Sequence, residues 1–434
     1  MIYFIPLLLL FNLAVKAQTV TYQELLQSAS DKSIKLKMFK SDENIESSKV
    51  DTLYAKYYPT LALSYNTEYN KDLDGLPSGT ESVGDSVITS GTRYQSSLSL
   101  NLNHELYHFG VTEDSIFIAK KEVNIKKFNW CEEEKKLHQT ILDRYSSAVK
   151  SKTKSSIKEE MLQIRQNLYN VKQRLHKAGK YSKLDLGDEA ITIIDLEKDI
   201  ELALLQYQED IIHLSSLSHV ELDEKSTELM AIGFSHSDYL TDDFEETTLG
   251  HKYLEQVKQK EQEILMLTHS QYPTLSMYGN YYMYGSDPND AYESFDNIKK
   301  NSWKLGLAIR LNIFEGFKYS NTSQTLQYEL QRIREERDLY KREYEYNAKM
   351  KRSKISHLKT LEDKDENMYD KTTQKVNMMN RLRDSHQVDS ISELNTMLEA
   401  LERKLNLKIE QSDMAYENAS LDILFRGASQ CTQH

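Results

Sequence analysis

A stretch that occurs twice constrains this chain more than any other feature. The hexapeptide YPTLAL at residues 58–63 recurs as YPTLSM at residues 272–277, and a second pair of similar segments lies at residues 98–110 and 305–317. In each half, the first segment opens a pair of strand-like stretches that is followed by a long polar run. A duplication of this size indicates one structural unit built twice. The sequence therefore predicts two internal repeats.

The positions of the five prolines show where long helices can lie. Apart from Pro6, they are Pro59, Pro77, Pro273 and Pro288, all in or beside the strand-like stretches. Because proline interrupts a helix, the proline-free runs can be continuous helix. The run from about residue 317 to residue 381 would extend more than about 90 Å as a helix. With 39% hydrophobic and 28% charged residues, the composition favours long helices packed along narrow seams.

Within these runs, apolar residues recur at spacings of three and four, which is typical of coiled-coil packing. One seam comprises Ile193, Leu196, Ile200, Ala203, Tyr207, Ile211 and Leu214, and another comprises Leu394, Leu398, Leu401 and Leu405. Two turns interrupt the helices, at residues 178–185, where Ser182 is the predicted N-cap, and at residues 387–393. A mixed, acidic segment of about residues 216–248 joins the two repeats.

The strand-like stretches alternate between apolar and polar residues. In the first, Leu61, Leu63 and Tyr65 share one side, and the polar residues between them share the other. We predict strands at about residues 59–70, 95–107, 272–284 and 302–314. The third strand alternates less regularly, because tyrosines fall on its polar side: Tyr278, Tyr282 and Tyr284. The intervening residues 71–93 and 285–288 are predicted to be loops.

Two architectures fit such strands. One is an antiparallel sheet half-buried on a soluble core. The other is a transmembrane barrel, whose strands are apolar towards lipid and polar towards the lumen, with aromatic residues at the rims. The strand lengths, the tyrosines in these stretches and the lack of spare apolar surface on the flanking helices favour the barrel. Four strands cannot close a barrel, and lipid tolerates no open sheet edge, so several chains would have to pool their strands.

The first 17 residues are predicted to be a secretory signal peptide, because an apolar run ends in small residues before Ala17. The formal net charge of −12 argues against nucleic acid as a partner. Two cysteines are present, Cys131 and Cys431, and their spacing leaves a disulfide between them open. Cys431 and His434 make a poor metal pair because they lie at a chain terminus, so no metal site is predicted.

Together these motifs resemble the TolC-like outer-membrane efflux proteins. The similarity rests on YPTL before the first strand of each repeat, LNHELYHFG and RLNIFEG at the strand exits, and the turn AGKYSKLD between helices. It covers nearly the whole mature chain. Two departures concern local geometry. Glu105 and Asn312 stand where the family often has proline, and Gln387 stands in the second turn where the first has Gly179.

The resemblance implies a mainly α fold with a membrane β-barrel. In a homotrimer, four strands per chain would form one twelve-stranded barrel in the outer membrane, continued by a long α-helical barrel in the periplasm. The corresponding domains are a signal peptide (1–17), a first repeat (18–215), an inter-repeat equatorial segment (216–248), a second repeat (249–424) and a C-terminal tail (425–434). Such proteins are passive ducts that work with a periplasmic adaptor protein and an inner-membrane RND or ABC transporter.

Roles for particular residues follow from the resemblance and from the strand pattern. The tip where adaptor hairpins dock corresponds to Gly179, Tyr181, Ser182, Leu184 and Ser390. Asp384 and Asp389 are candidate gate residues, because symmetry would repeat their charges around a narrow mouth and favour cations. The alternative is that these are ordinary solvated turn residues. The alternation places Glu68, Asn101 and Arg310 towards the lumen, and Tyr65, Tyr69 and Trp303 in a lipid-facing girdle.

The sequence contains no nucleotide-binding, metalloprotease or serine-hydrolase motif, and its 12 histidines are scattered. We therefore predict no enzyme activity and no cofactor, and any energy for transport would come from partners. The predicted function is a passive outer-membrane channel of a tripartite efflux or type I secretion system. A periplasmic coiled-coil scaffold protein is the alternative. The sequence identifies neither the cargo nor the class of pump.

Overall fold

The structure is a computed structural model that describes residues 18–71, 81–83, 86–88, 93–223, 227–232, 242–384 and 389–428. The predicted signal peptide, Gln387, Cys431 and His434 lie outside these residues. The chain divides into two compact units. A helical unit comprises Met1–Ser41, Lys127–Lys252 and Arg337–His434, and a sheet unit comprises Asp42–Lys126 and Tyr253–Glu336.

The helices are α1 (Tyr22–Lys32), α2 (Ile34–Tyr54), α3 (Val111–Lys177), α4 (Lys183–Ser218), α5 (Thr248–His269), α6 (Ala291–Asp296), α7 (Lys318–Asp384) and α8 (Ser390–Leu424). The strands are β1 (Gln18–Val20), β2 (Thr60–Asn70), β3 (Glu81–Val83), β4 (Ser86–Ile88), β5 (Arg93–Tyr107), β6 (Thr227–Leu229), β7 (Thr274–Asp287) and β8 (Lys300–Arg310). Helices α3 and α7 have 67 residues each, as the proline-free runs predicted. Along the described part of the chain, no helix combines the length and the apolar character needed to cross a membrane.

The sheet unit contains a four-stranded antiparallel sheet in the order β2–β5–β7–β8. The two predicted strand pairs are joined through β5 and β7, which belong to different repeats. Because neighbouring strands run in opposite directions, the four strand ends that connect to α2, α3, α5 and α7 lie at one end of the sheet, which we term the helix end. The opposite end is the loop end. Strand β8 stops at Arg310, short of the predicted residue 314, because Arg310 already pairs with Thr274, the first residue of β7.

Two segments predicted to be loops contain regular structure. Within residues 71–93, the short strands β3 and β4 pair antiparallel, and β5 already begins at Arg93. At the second connection, β7 runs to Asp287 and α6 follows. The predicted loop at residues 285–288 is therefore wrong for its first three residues, which lie in the strand.

Local hydrogen bonds explain why a helix starts directly after β7. The Asp287 carboxylate accepts from the backbone N–H groups of Asn289 and Asp290, at 2.8 and 2.9 Å. Asp290 is the N-cap of α6, and its carboxylate accepts from the Tyr292 N–H at 2.8 Å. Aspartates that bond to the backbone in this way favour turns and helix starts. Hydrophobic periodicity carries no information about such short-range capping.

The helical unit buries both predicted seams. In α4, Ile200, Ala203, Tyr207, Ile211 and Leu214 are buried, and the last three belong to a cluster that includes Leu25, Ile141, Leu142 and Tyr145. In α8, Leu398 packs with Ile157, Met161 and Leu168 of α3, and Leu394, Leu401 and Leu405 pack against that cluster. The spacing of three and four residues therefore predicted the packed side of each helix correctly. Cys131 of α3 is buried and disulfide-bonded.

A buried histidine connects three parts of the helical unit. His138 of α3 lies with Nε2 2.9 Å from the Ser30 hydroxyl of α1 and with Nδ1 3.0 Å from Nη1 of Arg426, which follows α8. Because arginine can only donate, Nδ1 accepts and Nε2 carries the proton of a neutral ring. Burial lowers the pKa of His138 to about 3, and the Arg426 charge acts in the same direction. Glu134 lies 3.4 Å from Arg426 and balances its charge.

Candidate functional site

The register of the four-stranded sheet gives it an apolar face. Leu63, Leu100, Tyr281 and Trp303 lie opposite one another in a row that crosses all four strands. Alternate residues along each strand share a face with this row. The apolar side chains of this face include Leu61, Leu63, Tyr65, Leu98, Leu100, Leu102, Leu275, Met277, Tyr281, Met283, Trp303, Leu305, Leu307 and Ile309. The register also places Thr67, Tyr69, Tyr94, Ser96, His104 and Asn301 on it.

The opposite face of the sheet is polar. Ala62, Asn101, Asn280 and Lys304 form a row across it. Other members are Ser64, Asn66, Glu68, Gln95, Ser97, Ser99, Ser276, Ser302 and Arg310, with the tyrosines Tyr278, Tyr282 and Tyr284. The predicted lumen residues Glu68, Asn101 and Arg310 thus share the polar face. The predicted girdle residues Tyr65, Tyr69 and Trp303 share the apolar face.

The apolar face is exposed along the outer strands. The exposed fractions are 69% for Leu63, 74% for Trp303, 66% for Leu307 and 76% for Ile309. Single exposed apolar side chains are common, but a contiguous patch marks a surface that contacts protein or membrane. The sequence alternation predicted a sheet that is either half-buried on a soluble core or facing lipid. In this chain, the apolar face along the outer strands is uncovered.

Strands β2 and β8 form the edges of this sheet, and each has a hydrogen-bonded neighbour within it on one side only. The free side of an edge strand presents backbone N–H and C=O groups that can pair with another strand. Both edges belong to strands whose apolar residues are among the most exposed. The sheet therefore has two kinds of surface through which it can associate with other molecules: an apolar face, and two edge strands that can pair with further strands.

Aromatic side chains lie at both ends of the sheet. At the helix end, the Phe109 ring lies 4.8 Å from the Tyr107 ring and 5.4 Å from the Tyr272 ring, centroid to centroid. At the loop end, the rings of Tyr69 and Tyr94 are 4.8 Å apart. The leucine-rich rows of the apolar face lie between these two groups. This arrangement has an apolar centre and amphipathic rims.

Both strand exits pass through left-handed backbone conformations. Phe109 and Gly110 have φ values of 44° and 92°, and Gly316 and Phe317 have φ values of 60° and 63°. The two doublets occupy equivalent positions in the two repeats, with phenylalanine and glycine in reversed order. Only glycine adopts this conformation without steric cost. Sequence reasoning noted the exits but missed this strain, which the FG and GF doublets beside helix starts could have indicated.

A buried carboxylate joins the two repeats at the helix end of the sheet. Asp114, in the first turn of α3, is 5% exposed. Its Oδ2 lies 2.6 Å from Nδ1 of His269, the last residue of α5, and its Oδ1 accepts from Nε2 of Gln262 at 2.6 Å. The acidic group lies at a helix N-terminus, where the helix dipole favours negative charge. Sequence reasoning did not identify this cluster, because its members are far apart along the chain.

The first predicted tip is a tight turn between α3 and α4. Gly179 has φ +72°, and the N–H groups of Gly179 and Lys180 donate to the carbonyls of His176 and Leu175, each at 2.9 Å. This is a Schellman motif, which commonly ends a helix at glycine. Ser182 is the N-cap of α4 in a capping box with Asp185, as predicted. The turn is thus fixed by hydrogen bonds on both sides.

The same turn presents an apolar side chain to the surroundings. Leu184 is 74% exposed. Tyr181 is half-buried, with its carbonyl oxygen 2.7 Å from His176 Nδ1 and the Lys172 ammonium 5.8 Å from its ring centroid. Ser390, the predicted contributor from the second turn, is the exposed first residue of α8. A rigid turn with an exposed leucine has the features of a contact surface.

The structure gives Asp389 a local role. Its carboxylate is the N-cap of α8 and accepts from the Ser392 N–H at 2.9 Å. Hydrogen bonds from Ser392 hold the pKa of Asp389 below its usual value, so the group is charged at neutral pH. Asp384 is the last residue of α7, and its side chain lies outside the described part of the structure.

Comparisons with known proteins identify the fold of this chain. No protein-family model and no curated protein sequence matches the chain. Solved structures match over nearly the full length. They include CusC (14% identity, TM-score 0.75, covering 95% of this chain and 93% of that chain). The chain has the TolC-like fold.

Two further structures with the TolC-like fold agree with the match to CusC. The outer-membrane protein VceC from Vibrio cholerae gives 14% identity and a TM-score of 0.75, covering 93% of this chain and 94% of that chain. The open state of the outer-membrane channel MtrE from Neisseria gonorrhoeae gives 15% identity and a TM-score of 0.75, covering 94% and 89%. The similarity in fold thus extends over the sheet and the long helices alike.

Proposed function

We propose that this protein is a passive export channel of a bacterial outer membrane. The observation that carries the proposal is the sheet with one exposed apolar face and one polar face. An apolar face of strands rich in leucine, with aromatic residues at both ends, suits the hydrocarbon core and the two interfaces of a bilayer. The polar face, with Glu68, Asn101 and Arg310, lines the transport path.

Closure of this sheet requires other copies of the chain. In hydrocarbon, every backbone N–H and C=O needs a partner, so the free sides of β2 and β8 cannot stay open. If β8 of each copy pairs with β2 of the next, the two surfaces in contact are different, so the interface is head-to-tail. Repeated contacts of this kind can arrange the copies in a closed ring. Three copies would give the twelve-stranded barrel of the TolC-like proteins.

A second apolar stripe on α4 supports association of copies. One side of this helix is buried within the chain, but Ile191, Ile194, Leu202, Leu205 and Ile212 are all more than half exposed. Their spacings are typical of coiled-coil contacts. In the trimer these side chains pack against a neighbouring subunit, which completes a helical tunnel in the periplasm.

The tip at residues 178–185 is the docking point for a periplasmic adaptor, which connects the channel to an inner-membrane RND or ABC transporter. The support is the exposed Leu184 on a turn that hydrogen bonds make rigid, because preorganised apolar residues favour binding. Leu184→Asp should leave conductance in planar bilayers unchanged and reduce export in cells. Normal export by this variant would contradict docking at this turn.

Association with the membrane can be tested directly. The mature protein should fractionate with outer membranes, migrate as a heat-modifiable oligomer and form conducting pores in planar bilayers. A purified protein that stays a water-soluble monomer without detergent would exclude the channel. An oligomer without conductance that stays in the periplasmic fraction would instead support the coiled-coil scaffold.

A further inference from the structure

Helix α6 lies on the apolar face of the sheet, at its loop end. Ser294 of α6 and Ser96 of β5 are both fully buried, and their hydroxyl oxygens are 2.6 Å apart. The Phe295 ring lies 5.6 Å from the ring of Tyr65 on β2, at an interplanar angle of 82°. Ser96 and Tyr65 belong to the apolar face by the strand register. The helix therefore covers the outermost rows of that face.

Gly285 of β7 permits this close packing. A Cβ atom at Gly285 would lie 2.3 Å from the Ser294 carbonyl oxygen and 2.6 Å from the carbonyl carbon of Asn297. Gly285 pairs with Ser96, so the two residues form one row beneath the helix. Any larger side chain at this position would push α6 off the sheet.

The helix covers polar groups that would be costly in a hydrocarbon environment. Ser96 is hydrogen-bonded not only to Ser294 but also to the hydroxyl groups of Tyr65 and Thr67, each at 3.3 Å. These hydroxyls interrupt the apolar face just beyond the last leucine row, at Leu98. A hydroxyl that lacks a partner is unfavourable in lipid. Helix α6 supplies one partner, Ser294, and covers the Ser96 hydroxyl.

The outer side of α6 is amphipathic. Tyr292 is 72% exposed and Phe295 is 52% exposed. Asp290, Glu293 and Asp296 are exposed beside them. Aromatic side chains next to charged groups are favoured at the level of lipid headgroups, where the ring is in an apolar region and the polar groups remain hydrated.

We propose that α6 is an interfacial anchor that places Tyr292 and Phe295 in lipid, at the boundary between the acyl chains and the headgroups of the leaflet at the loop end. The inference rests on the proposed function, because it needs the apolar face to contact a membrane. Lipid is the occupant because α6 continues that face directly and lies where the leucine rows end. The helix thus marks one edge of the membrane-embedded band.

Tryptophan fluorescence can test this placement, because the chain has only two tryptophans, Trp130 and Trp303. The full mature protein is reconstituted in phosphatidylcholine vesicles whose acyl chains carry bromine either near the carbonyl end or near the terminal methyl. The test variant is Tyr292→Trp with Trp130→Phe and Trp303→Phe. The matched control places the probe on the polar face, as Tyr282→Trp in the same background. Trp130→Phe alone reports Trp303 on the apolar face.

We expect the Tyr292→Trp emission to be shifted to shorter wavelength and to lose more intensity with bromine near the carbonyl end than with bromine near the methyl. The Tyr282→Trp probe should lose little intensity with either lipid. Phe295→Trp provides a second probe if Tyr292→Trp does not assemble into a heat-modifiable oligomer.

The remaining outcomes separate the two proposals. Quenching of Trp303 without quenching of the α6 probes would overturn the anchor and leave the channel intact. A lack of quenching at Trp303 as well would contradict membrane contact by the apolar face, and the proposed function would fail with the anchor.

Discussion

Single residues at the two strand exits carry the steric cost of turning from sheet to helix. Phe109 and Phe317 have left-handed backbone conformations, each of which costs roughly 1–2 kcal/mol for a residue with a side chain. The adjacent glycines, Gly110 and Gly316, reduce the total cost of each exit. Both repeats have this conformation at the strand exit although the order of phenylalanine and glycine differs. The two repeats therefore share the geometry of the exit and not its local sequence.

Gly110→Ala should destabilise the protein more than Gly316→Ala. At Gly110 the backbone has φ +92°, and the new Cβ would lie 3.2 Å from Nδ1 of His269, which pairs with Asp114. At Gly316, φ is +60°, and among the described residues no atom beyond the two chain neighbours lies within 4 Å of such a Cβ. We expect losses of about 2–3 kcal/mol and about 1 kcal/mol, respectively. Unfolding of the two variants in detergent, followed by circular dichroism, would measure this difference, and equal losses would contradict it.

His138 should make the protein less stable in acid. Its pKa is about 3 in the folded protein because the ring is buried, whereas the ordinary value is 6.5. As the pH falls from about 6.5 to about 3, the unfolded chain gains a proton that the folded chain does not bind. The free energy of unfolding should then decrease by at most about 1.4 kcal/mol per pH unit.

Unfolding midpoints between neutral pH and pH 4 would show this effect. His138→Gln is the matched control, because a glutamine amide can donate to Ser30 and accept from Arg426 without titrating. The variant should have a flatter stability profile in this pH range than the natural protein. An identical profile would mean that other groups cause the acid sensitivity.

At the scale of elements, the proposed contact of the sheet with a membrane determines which substitutions should be tolerated. Leu307 and Ala308 are neighbours on β8 that point to opposite faces. Leu307→Arg would place a charge on the apolar face, one row inside its helix end, whereas Ala308→Arg would place the same charge on the polar face. We expect the first to cost about 1–3 kcal/mol, between the costs at the midplane and at the interface of a bilayer, and the second less than about 1 kcal/mol.

Folding of both arginine variants into phospholipid vesicles, read as the fraction with heat-modifiable migration across a urea series, would measure the two costs. Equal effects of Leu307→Arg and Ala308→Arg would contradict the assignment of the two faces.

The elements also show what could be read from the sequence. Alternation in β2, β5 and β8 and the absence of proline from α3 and α7 were sufficient to predict these elements. The choice of β5 and β7 as neighbours could not be predicted, because pairing between distant strands depends on backbone groups that all residues share. Helix α6 was missed, because six residues are too few for a helical period and Gly285 usually indicates a turn. The turn at the tip could be predicted, because Gly179 and Ser182 are residue types that end and start helices through short-range hydrogen bonds.

At the scale of the whole molecule, charges that are unremarkable in one chain acquire a role through symmetry. Asp389 caps α8 in a single subunit. In a ring of subunits, Asp384 and Asp389 would each recur around the periplasmic mouth and raise the local concentration of cations.

Asp384→Asn combined with Asp389→Asn should lower the cation selectivity of the proposed channel. Asparagine is as good an N-cap as aspartate, so the second change removes the charge and keeps the start of α8 intact. Reversal potentials in planar bilayers under a salt gradient would measure the selectivity. Unchanged reversal potentials would show that these carboxylates are turn and cap residues only.

The contact between β5 and β7 has a consequence for how such an assembly can arise. It pairs the last strand of one repeat with the first strand of the other, which is the same relation that β8 would have to β2 of an adjacent subunit. A junction inside the chain and a junction between chains would therefore be two versions of one interface. A shorter ancestor carrying half of this chain could have built the same cylinder from twice as many identical pieces, and gene fusion would then have allowed alternate junctions to diverge.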